Sequence, residues 1–253
     1  MSPAAPVYDT IGQHYTAHRQ PDPRWAALIT QKLGKARRVV NVGAGTGSYE
    51  SQPPSADVLA IEPSSVMVAQ RPPRAAPVVR GRASALPMFG GSADAAMAIL
   101  TVHHWGDWES GLAEMRRVAR RRVIVTIDFE CHAHFWLLRD YLPHVAAFEL
   151  GLSPTMAQIS AALPITEAHD LPLPADMEDG VLGAPWRRPE AYLDPLVRSN
   201  CSPLALADQA ATAEGIARRA DDLATGAWHR RYADLLERDS YDAGYRLLVS
   251  EGD

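Results

Sequence analysis

The sequence predicts an α/β fold in which a doubly wound, mostly parallel, seven-stranded sheet carries an α-helical cap inserted near the C-terminus. Three observations predict it. An apolar run, Val39 to Val42, breaks onto glycines at alternate positions, Gly43, Gly45 and Gly47. Strand-like and helix-like stretches then alternate five times through Asp128 with short connections, which implies parallel strands and right-handed crossovers. Beyond Asp128 the pattern changes, and between a sixth strand, Ile165 to Leu171, and one last apolar run, Gly244 to Ser250, lies a long stretch rich in Pro, Gly and Trp and then helical in period. That stretch is too long for a connecting loop and reads as a cap.

Each element has a local reason. Asp22 caps a helix with Pro23 at its first position and Gly34 at its end, and Trp25, Leu28, Ile29 and Leu33 share one face. Val39 to Val42 is a strand buried on both faces. Pro53 and Pro54 follow Gly47 so soon that the next helix is expected to run one or two turns at most. Asp57 to Glu62 is a second strand, and Ser64 or Ser65 caps a short helix to Gln70. Pro77 to Arg80 is an edge-like third strand, Asp94 to Thr101 a central fourth and Val123 to Asp128 a fifth. Between the last two, Trp108, Leu112, Met115 and Val118 fall at helical spacing. Phe135 to Leu142 reads as helical up to Pro143, a further helix starts at Ser153-Pro154, and Ile165 to Leu171 is a sixth strand. Asp208 to Glu237 reads as two helices broken near Gly226. The resulting domains are an N-terminal lid and first helix (1–36), a cofactor-binding core (37–175), a helical cap for substrate recognition (176–238) and a final core strand (239–253).

Composition narrows the function. At 253 residues and 47% hydrophobic, the chain can bury a large core. A formal charge of -5 and a pI near 6.0 argue against a nucleic-acid or acidic membrane surface as the main partner. Arg116, Arg117 and Arg120 to Arg122 read as a solvated cationic helix end rather than a phosphate footprint. Cys131 and Cys201 are far apart, without a paired motif, so reduced thiols in a cytoplasmic protein are expected. Met1 to Pro6 has no signal-peptide pattern, and no apolar stretch reaches the roughly 18 residues a membrane span needs. The expected partner is a small molecule, and the expected state a monomer or homodimer.

Gly43 to Gly47 can turn with positive φ and admit a ligand with no Cβ in the way. Such a loop serves nicotinamide dinucleotides and other adenosine cofactors alike, and Glu62 at the end of the second strand suits the ribose hydroxyls of either. Later blocks separate them. With Asn41-Val-Gly-Ala-Gly-Thr-Gly47, Ile61-Glu-Pro-Ser64 with Met67, Gly81-Arg-Ala-Ser-Ala-Leu-Pro87 and Asp94 to Trp105, the sequence resembles the class I S-adenosylmethionine-dependent methyltransferases. The resemblance is to the branch related to ubiquinone/menaquinone C-methyltransferases, and it covers about Tyr8 to Asp128.

The resemblance implies a Rossmann-like core and S-adenosylmethionine as cofactor, with S-adenosylhomocysteine as product. It implies that Gly43, Ala44, Gly45, Thr46 and Gly47 line the methionine and ribose moieties and that Glu62 takes the ribose hydroxyls. Pro63 and Met67 would pack on adenine, Ala83 and Ser84 would meet its edge, and Thr101, Val102 and His103 would lie beneath the sulfonium. Two positions depart from the family pattern: Asn41 replaces a common acidic residue, and Arg82 or Ser84 a carboxylate often found near adenine's amino group.

Methyl transfer from a sulfonium needs chiefly positioning, with a base where the nucleophile is oxygen or nitrogen. His103 is the candidate base or substrate-positioning group, favoured over His104 because successive residues of an extended chain point oppositely; a purely structural histidine fits the same spacing. His104, Trp105, Trp186 and Arg187 are candidate substrate contacts, although the acidic residues near Arg187 also suit an ion pair. Tyr8, Tyr15 and Arg19 form a candidate lid over the cofactor, with packing as the alternative. His132 and His134 lack a third ligand nearby, so no metal is expected. A non-catalytic protein that binds the cofactor or its product stands as the alternative function.

Overall fold

The computed structural model of the chain describes residues 19–50 and 56–252. The first helix, α1 (Pro23–Leu33), starts where the Asp22 carboxylate accepts from the Arg24 amide at 2.9 Å, and it buries Trp25, Ile29 and Leu33. Five strands follow: β1 (Arg38–Val42), β2 (Asp57–Ile61), β3 (Val78–Val79), β4 (Ala93–Ile99) and β5 (Ala119–Ile127). Between them lie α2 (Ser65–Ala69), capped by Ser64, and α3 (Trp108–Val118), capped by Asp107. The chain continues through α4 (Phe129–His132), a π-helical turn (Leu137–Tyr141), α5 (Pro143–Leu152) and α6 (Met156–Ala162) to β6 (Glu167–Asp170) and β7 (Leu173–Pro174). Short helices α7 (Pro195–Ser199) and α8 (Ser202–Leu206) lead to α9 (Gln209–Ala224), α10 (Ala227–Arg231) and α11 (Ala233–Leu236). The strands β8 (Ser240–Tyr241) and β9 (Tyr245–Glu251) come last in sequence.

The seven-stranded sheet has the order β3-β2-β1-β4-β5-β9-β6. The first five strands pair in parallel, and β9 runs antiparallel to both β5 and β6. Sheet growth therefore reverses between β1 and β4, and their two outgoing loops meet there, the place where open α/β sheets bind ligands.

Alternation along each strand divides the interior in two. Val39, Met97, Val123, Val125 and Val249 face α1 and the later helices; Val40, Val42, Ala96, Ile124 and Leu248 face α3 and α6. On the first face Trp136, Trp186 and Trp228 are buried, with the Trp136 and Trp228 rings 5.2 Å apart. Helices on both sides of the expected boundary at 175 thus share one core with the sheet.

Two local expectations change. Arg122 lies within β5, not at a solvated helix end: it is 1% exposed, and its guanidinium donates to the carbonyls of Ala119 and Gly252 and to Ser250 Oγ. Burial of that charge lowers its pKa, and three oxygens compensate part of the cost. Pro143 starts α5 rather than ending helical structure, because the first turn has no use for the missing N–H. After Gly47 no helix forms through Glu50, and Pro53 and Pro54 lie outside the described residues.

Candidate functional site

The loops leaving β1 and β4 touch. A Cβ on Gly43 (φ +70°) would sit 2.2 Å from Thr101 Oγ1, so only glycine lets the strands' ends come together. Thr101 Oγ1 in turn accepts from Trp105 Nε1 at 3.2 Å, and the indole lies over Gly111 of α3, where a Cβ would come within 2.5 Å of the ring. Between them Leu100 holds φ +52°, the one non-glycine residue with positive φ among the described residues. A bulky side chain there costs strain that persists only where the surroundings enforce it.

Beside these loops opens a cavity of about 460 Å³. Gly43, Ala44, Gly45 and Thr46 form one wall, with Glu62, Pro63 and Met67 next to it. Ala83, Ser84, Trp105, Arg19, Thr101 and His104, all among the expected residues, line the cavity as well. The Glu62 carboxylate is 5% exposed; one oxygen accepts from Gly45 N and the other from Ser64 N, each at 2.8 Å. Two backbone donors, one on each oxygen, fix the carboxylate's orientation. Asn41, 3% exposed, donates through Nδ2 to Glu50 at 3.0 Å, while its Oδ1 has no hydrogen-bond partner among the described residues. Glu50 also takes the Ala76 amide and forms an ion pair with Arg71, which ties the glycine loop to the connection after β2.

A smaller cavity, about 50 Å³, adjoins the first and shares Arg19, Leu100 and His104 with it. Its other walls include His103, Ile127, His132, Glu149, Cys201 and Tyr245. Arg19 is bound to Asp179 through Nε at 2.6 Å and Nη2 at 3.3 Å, and Tyr49 donates to the same carboxylate at 2.7 Å. This knot fastens the chain before α1 to the end of the glycine loop and to the connection after β7. Burial pushes the Tyr49 phenol well above its ordinary value, with the neighbouring Asp179 charge adding to it.

His103 and His104 stand on a 3₁₀ turn (Val102–His104), not on extended chain, so both rings face the cleft with centroids 4.0 Å apart. Burial holds His103 well below its ordinary pKa, with His104, His132 and Arg19 adding repulsion; burial and then Arg19 bring His104 to about 4. Both imidazoles are neutral at physiological pH.

Several expected site residues lie elsewhere. Gly47 is outside the cavity wall: at φ +89° a Cβ would come 2.8 Å from Glu50 Oε2, so it serves the turn that brings Glu50 back. Val102 is fully buried with α3 in the second core. Trp186 is also fully buried, donating to the Leu173 carbonyl at 3.0 Å and stacked on Tyr241, because its ring is core mass for the helical face. Arg187 points outward to the Arg238 carbonyl at 3.2 Å, and Arg188 donates to the Met177 carbonyl at 2.9 Å, so neither pairs with the acidic residues nearby. Tyr8 and Tyr15 lie outside the described residues. Asn41, Leu100, His132 and Glu149 were not expected at the cleft.

A sheet in this order, with a glycine loop and a fixed carboxylate at the ends of its first two strands, defines an α/β protein built to hold an adenosine-type cofactor. Residues 40–127 match the family pattern of a methyltransferase domain. The chain is 31% identical to a candidate methyltransferase from an antibiotic biosynthesis pathway of Anabaena variabilis, with a TM-score of 0.84 over 93% of this chain and 99% of that one. The chain belongs to the S-adenosylmethionine-dependent methyltransferases, and S-adenosylmethionine is its cofactor. Geranyl diphosphate C-methyltransferase of Streptomyces coelicolor A3(2), solved with S-adenosyl-L-homocysteine, shares the fold at 13% identity and a TM-score of 0.51, over 90% of this chain and 78% of that one. The [4+2]-cyclase SpnF does so at 14% and 0.56, over 97% and 94%. No curated protein matches the sequence. No helix among the described residues is long and apolar enough to cross a membrane.

Proposed function

We propose that the protein transfers the methyl group of S-adenosylmethionine to a small-molecule acceptor that enters from the side of His103 and His104. The observation that carries this reading is the Glu62 carboxylate, buried in the wall of the larger cavity beside the glycine loop and held in one orientation by Gly45 N and Ser64 N. A carboxylate fixed at the end of the second strand is placed to accept from the ribose hydroxyls of the cofactor. Asn41 Oδ1 offers an acceptor in the same wall, suited to the cofactor's ammonium group. Pro63, Met67 and Ala83 offer apolar surface for adenine.

When bound, the cofactor supplies an electrophilic methyl group with a neutral thioether as leaving group. The protein's share is to align the acceptor, exclude water and receive a proton. The Arg19–Asp179–Tyr49 knot holds Arg19 and Tyr49 in place in the wall of the cleft. His103 or His104 then contacts the acceptor, either one as a base or a positioning group. The formal charge of -5 supports a small acceptor over nucleic acid, and the protein acts in the cytoplasm as a monomer or homodimer. The motif blocks support kinship with the ubiquinone/menaquinone branch.

Calorimetry with S-adenosylhomocysteine tests the site. Glu62→Ala removes two charge-assisted hydrogen bonds to ribose, each worth about 1.5–3 kcal/mol, so affinity is expected to fall roughly 100-fold or more. Unchanged affinity would sink the assignment. Incubation of the wild type with radiolabelled cofactor and a metabolite extract tests transfer: tight product binding with no labelled acceptor would instead favour a binding protein.

A further inference from the structure

The smaller cavity contains polar groups that the cofactor reading does not use. His132 is 1% exposed, and its Nδ1 lies 2.5 Å from the Ala243 carbonyl. A carbonyl only accepts, so in the neutral ring Nδ1 carries the proton and Nε2 presents a bare lone pair. That Nε2 has no hydrogen-bond partner among the described residues, and neither does Glu149 Oε2, 4.0 Å away on α5. His103 Nδ1, on the wall next to Leu100, is a third such atom. Burial keeps the pair uncharged: it brings His132 to about 4 and lifts Glu149 to about 8. Glu149 therefore carries a carboxyl proton at neutral pH and is a donor facing an acceptor. Unsatisfied buried groups cost about 1–3 kcal/mol each, and three beside one small cavity mark a place where a ligand completes the hydrogen bonding.

We propose, building on the methyl-transfer reading, that this cavity, at about 50 Å³, receives the reacting hydroxyl of the acceptor, an uncharged compound of the phenol or enol class whose frame stays in the adjoining cleft, with the hydroxyl held between His132 Nε2 and Glu149 Oε2. The two atoms are 4.0 Å apart, so a single oxygen about 2.8 Å from both, a normal hydrogen-bond length, subtends about 90° between them, a spacing that suits one hydroxyl. The hydroxyl proton points to His132, one lone pair accepts from Glu149, and the second lone pair is left for attack. A neutral amine has one lone pair, which Glu149 would occupy. A charged acceptor would enter uncompensated, since the nearest ions, Arg19 and Asp179, already neutralise each other. Ile127, Val181, Leu182 and Tyr245 give this cavity an apolar side, with Asn200, Ser202 and Arg19 on its polar side.

The step balances. The acceptor oxygen forms a bond to the sulfonium methyl carbon, the carbon–sulfur bond breaks with its electron pair going to sulfur, and the hydroxyl proton passes to His132 Nε2. A weakly basic imidazole suffices, because a protonated ether is far more acidic than an imidazolium.

Phenol is the probe, titrated into protein saturated with S-adenosylhomocysteine, with calorimetry and nitrogen-15 resonances of the histidine rings as readouts. The expected result is a shift of the His132 Nε2 resonance on phenol addition. His132→Asn keeps a donor for the Ala243 carbonyl and removes Nε2, so phenol should bind about tenfold more weakly while product affinity stays within about twofold. Glu149→Leu should weaken phenol about tenfold too, and Glu149→Gln, which still donates, should stay within about threefold. An unmoved His132 resonance, wild-type phenol affinity in His132→Asn, or equal losses in Glu149→Gln and Glu149→Leu would overturn the proposal. The resonance test uses wild-type protein and so stands even if a variant fails to fold. Failure of S-adenosylhomocysteine itself to bind the wild type would overturn the methyl-transfer reading instead.

Discussion

The larger cavity draws nearly all its polar groups from residues 41–107, on loops that follow consecutive strands of the parallel half-sheet, whereas the smaller one gathers His103, Ile127, Glu149, Cys201 and Tyr245 from separate parts of the chain. Their polar groups differ as well. Glu62 is pinned by backbone amides on both oxygens before any ligand arrives, so that wall is preorganised. Glu149 and His132 face each other with nothing between them among the described residues. A fixed carboxylate suits a cofactor that every turnover shares. A pair of unsatisfied neutral groups suits a ligand that supplies what is missing, at a standing cost to stability.

The contrast breaks most visibly at Gly43. Gly43→Ala places a Cβ in positive-φ backbone and into Thr101, so a loss of about 3 kcal/mol or more is expected in urea unfolding, with the cofactor site lost as well. Thr101→Gly in the same chain should return part of it. A variant as stable as the parent would show that the loops can part without cost.

The next largest effect concerns Glu149 and has a definite sign. Its carboxyl ionises near 4.5 when unfolded and at about 8 when folded, because burial disfavours the charge. Between those values the folded protein holds the extra proton, so this group's contribution to stability falls as pH rises and levels off above 8. His132 acts oppositely: lowered from 6.5 to about 4, it adds stability as pH rises through that interval, and His103 and His104 add in the same direction. Between pH 6.5 and 8 Glu149 is expected to cost about 1.7 kcal/mol, while the unfolded histidines, still half protonated at 6.5, return about 0.4 kcal/mol each. The wild type should therefore lose about 1.7 kcal/mol over that range relative to Glu149→Gln, which keeps only the histidine gain. A change in urea midpoint between the two pH values that is the same in both proteins would contradict a protonated Glu149.

The smallest effects belong to residues that the cleft does not use. Trp186→Phe deletes the bond to the Leu173 carbonyl and should cost about 1 kcal/mol, and Arg187→Ala should stay within about 0.5 kcal/mol. Neither should move product affinity; a tenfold loss in either would bring that side chain into the site.

The same division governs what can be read from the chain without a structure. Glycines at alternate positions and a carboxylate ending the next strand act over short spans, so Gly43, Gly45, Glu62 and Ala83 are legible where they stand. Parallel pairing follows from alternation, and helix limits from Asp22, Gly34 and Asp208. His132 and Glu149 carry no such signal, because their meeting depends on how α4 and α5 settle on the sheet, and a lone His and Glu on helices read as ordinary surface or core. Leu100 is invisible for another reason: nothing in its side chain announces positive φ. Trp186 and Arg187 misled because an aromatic beside arginines resembles a recognition pair, whereas the helical face needed the indole as filling.

The strand β9 is last in sequence but sits between β5 and β6 in the sheet. During synthesis every strand of the parallel half emerges long before it, so the cofactor cradle can take shape on local contacts. Tyr245, and with it part of the wall of the smaller cavity, arrives only when β9 pairs with β5 and gives the edge strand β6 its place in the sheet, setting Ile127 against Tyr245 and Asp170 against Arg246. Such distant pairing is slow to form. A chain paused before that insertion would hold its cofactor end in place while the acceptor end stood open, which makes the closing of β9 the step at which binding becomes selectivity.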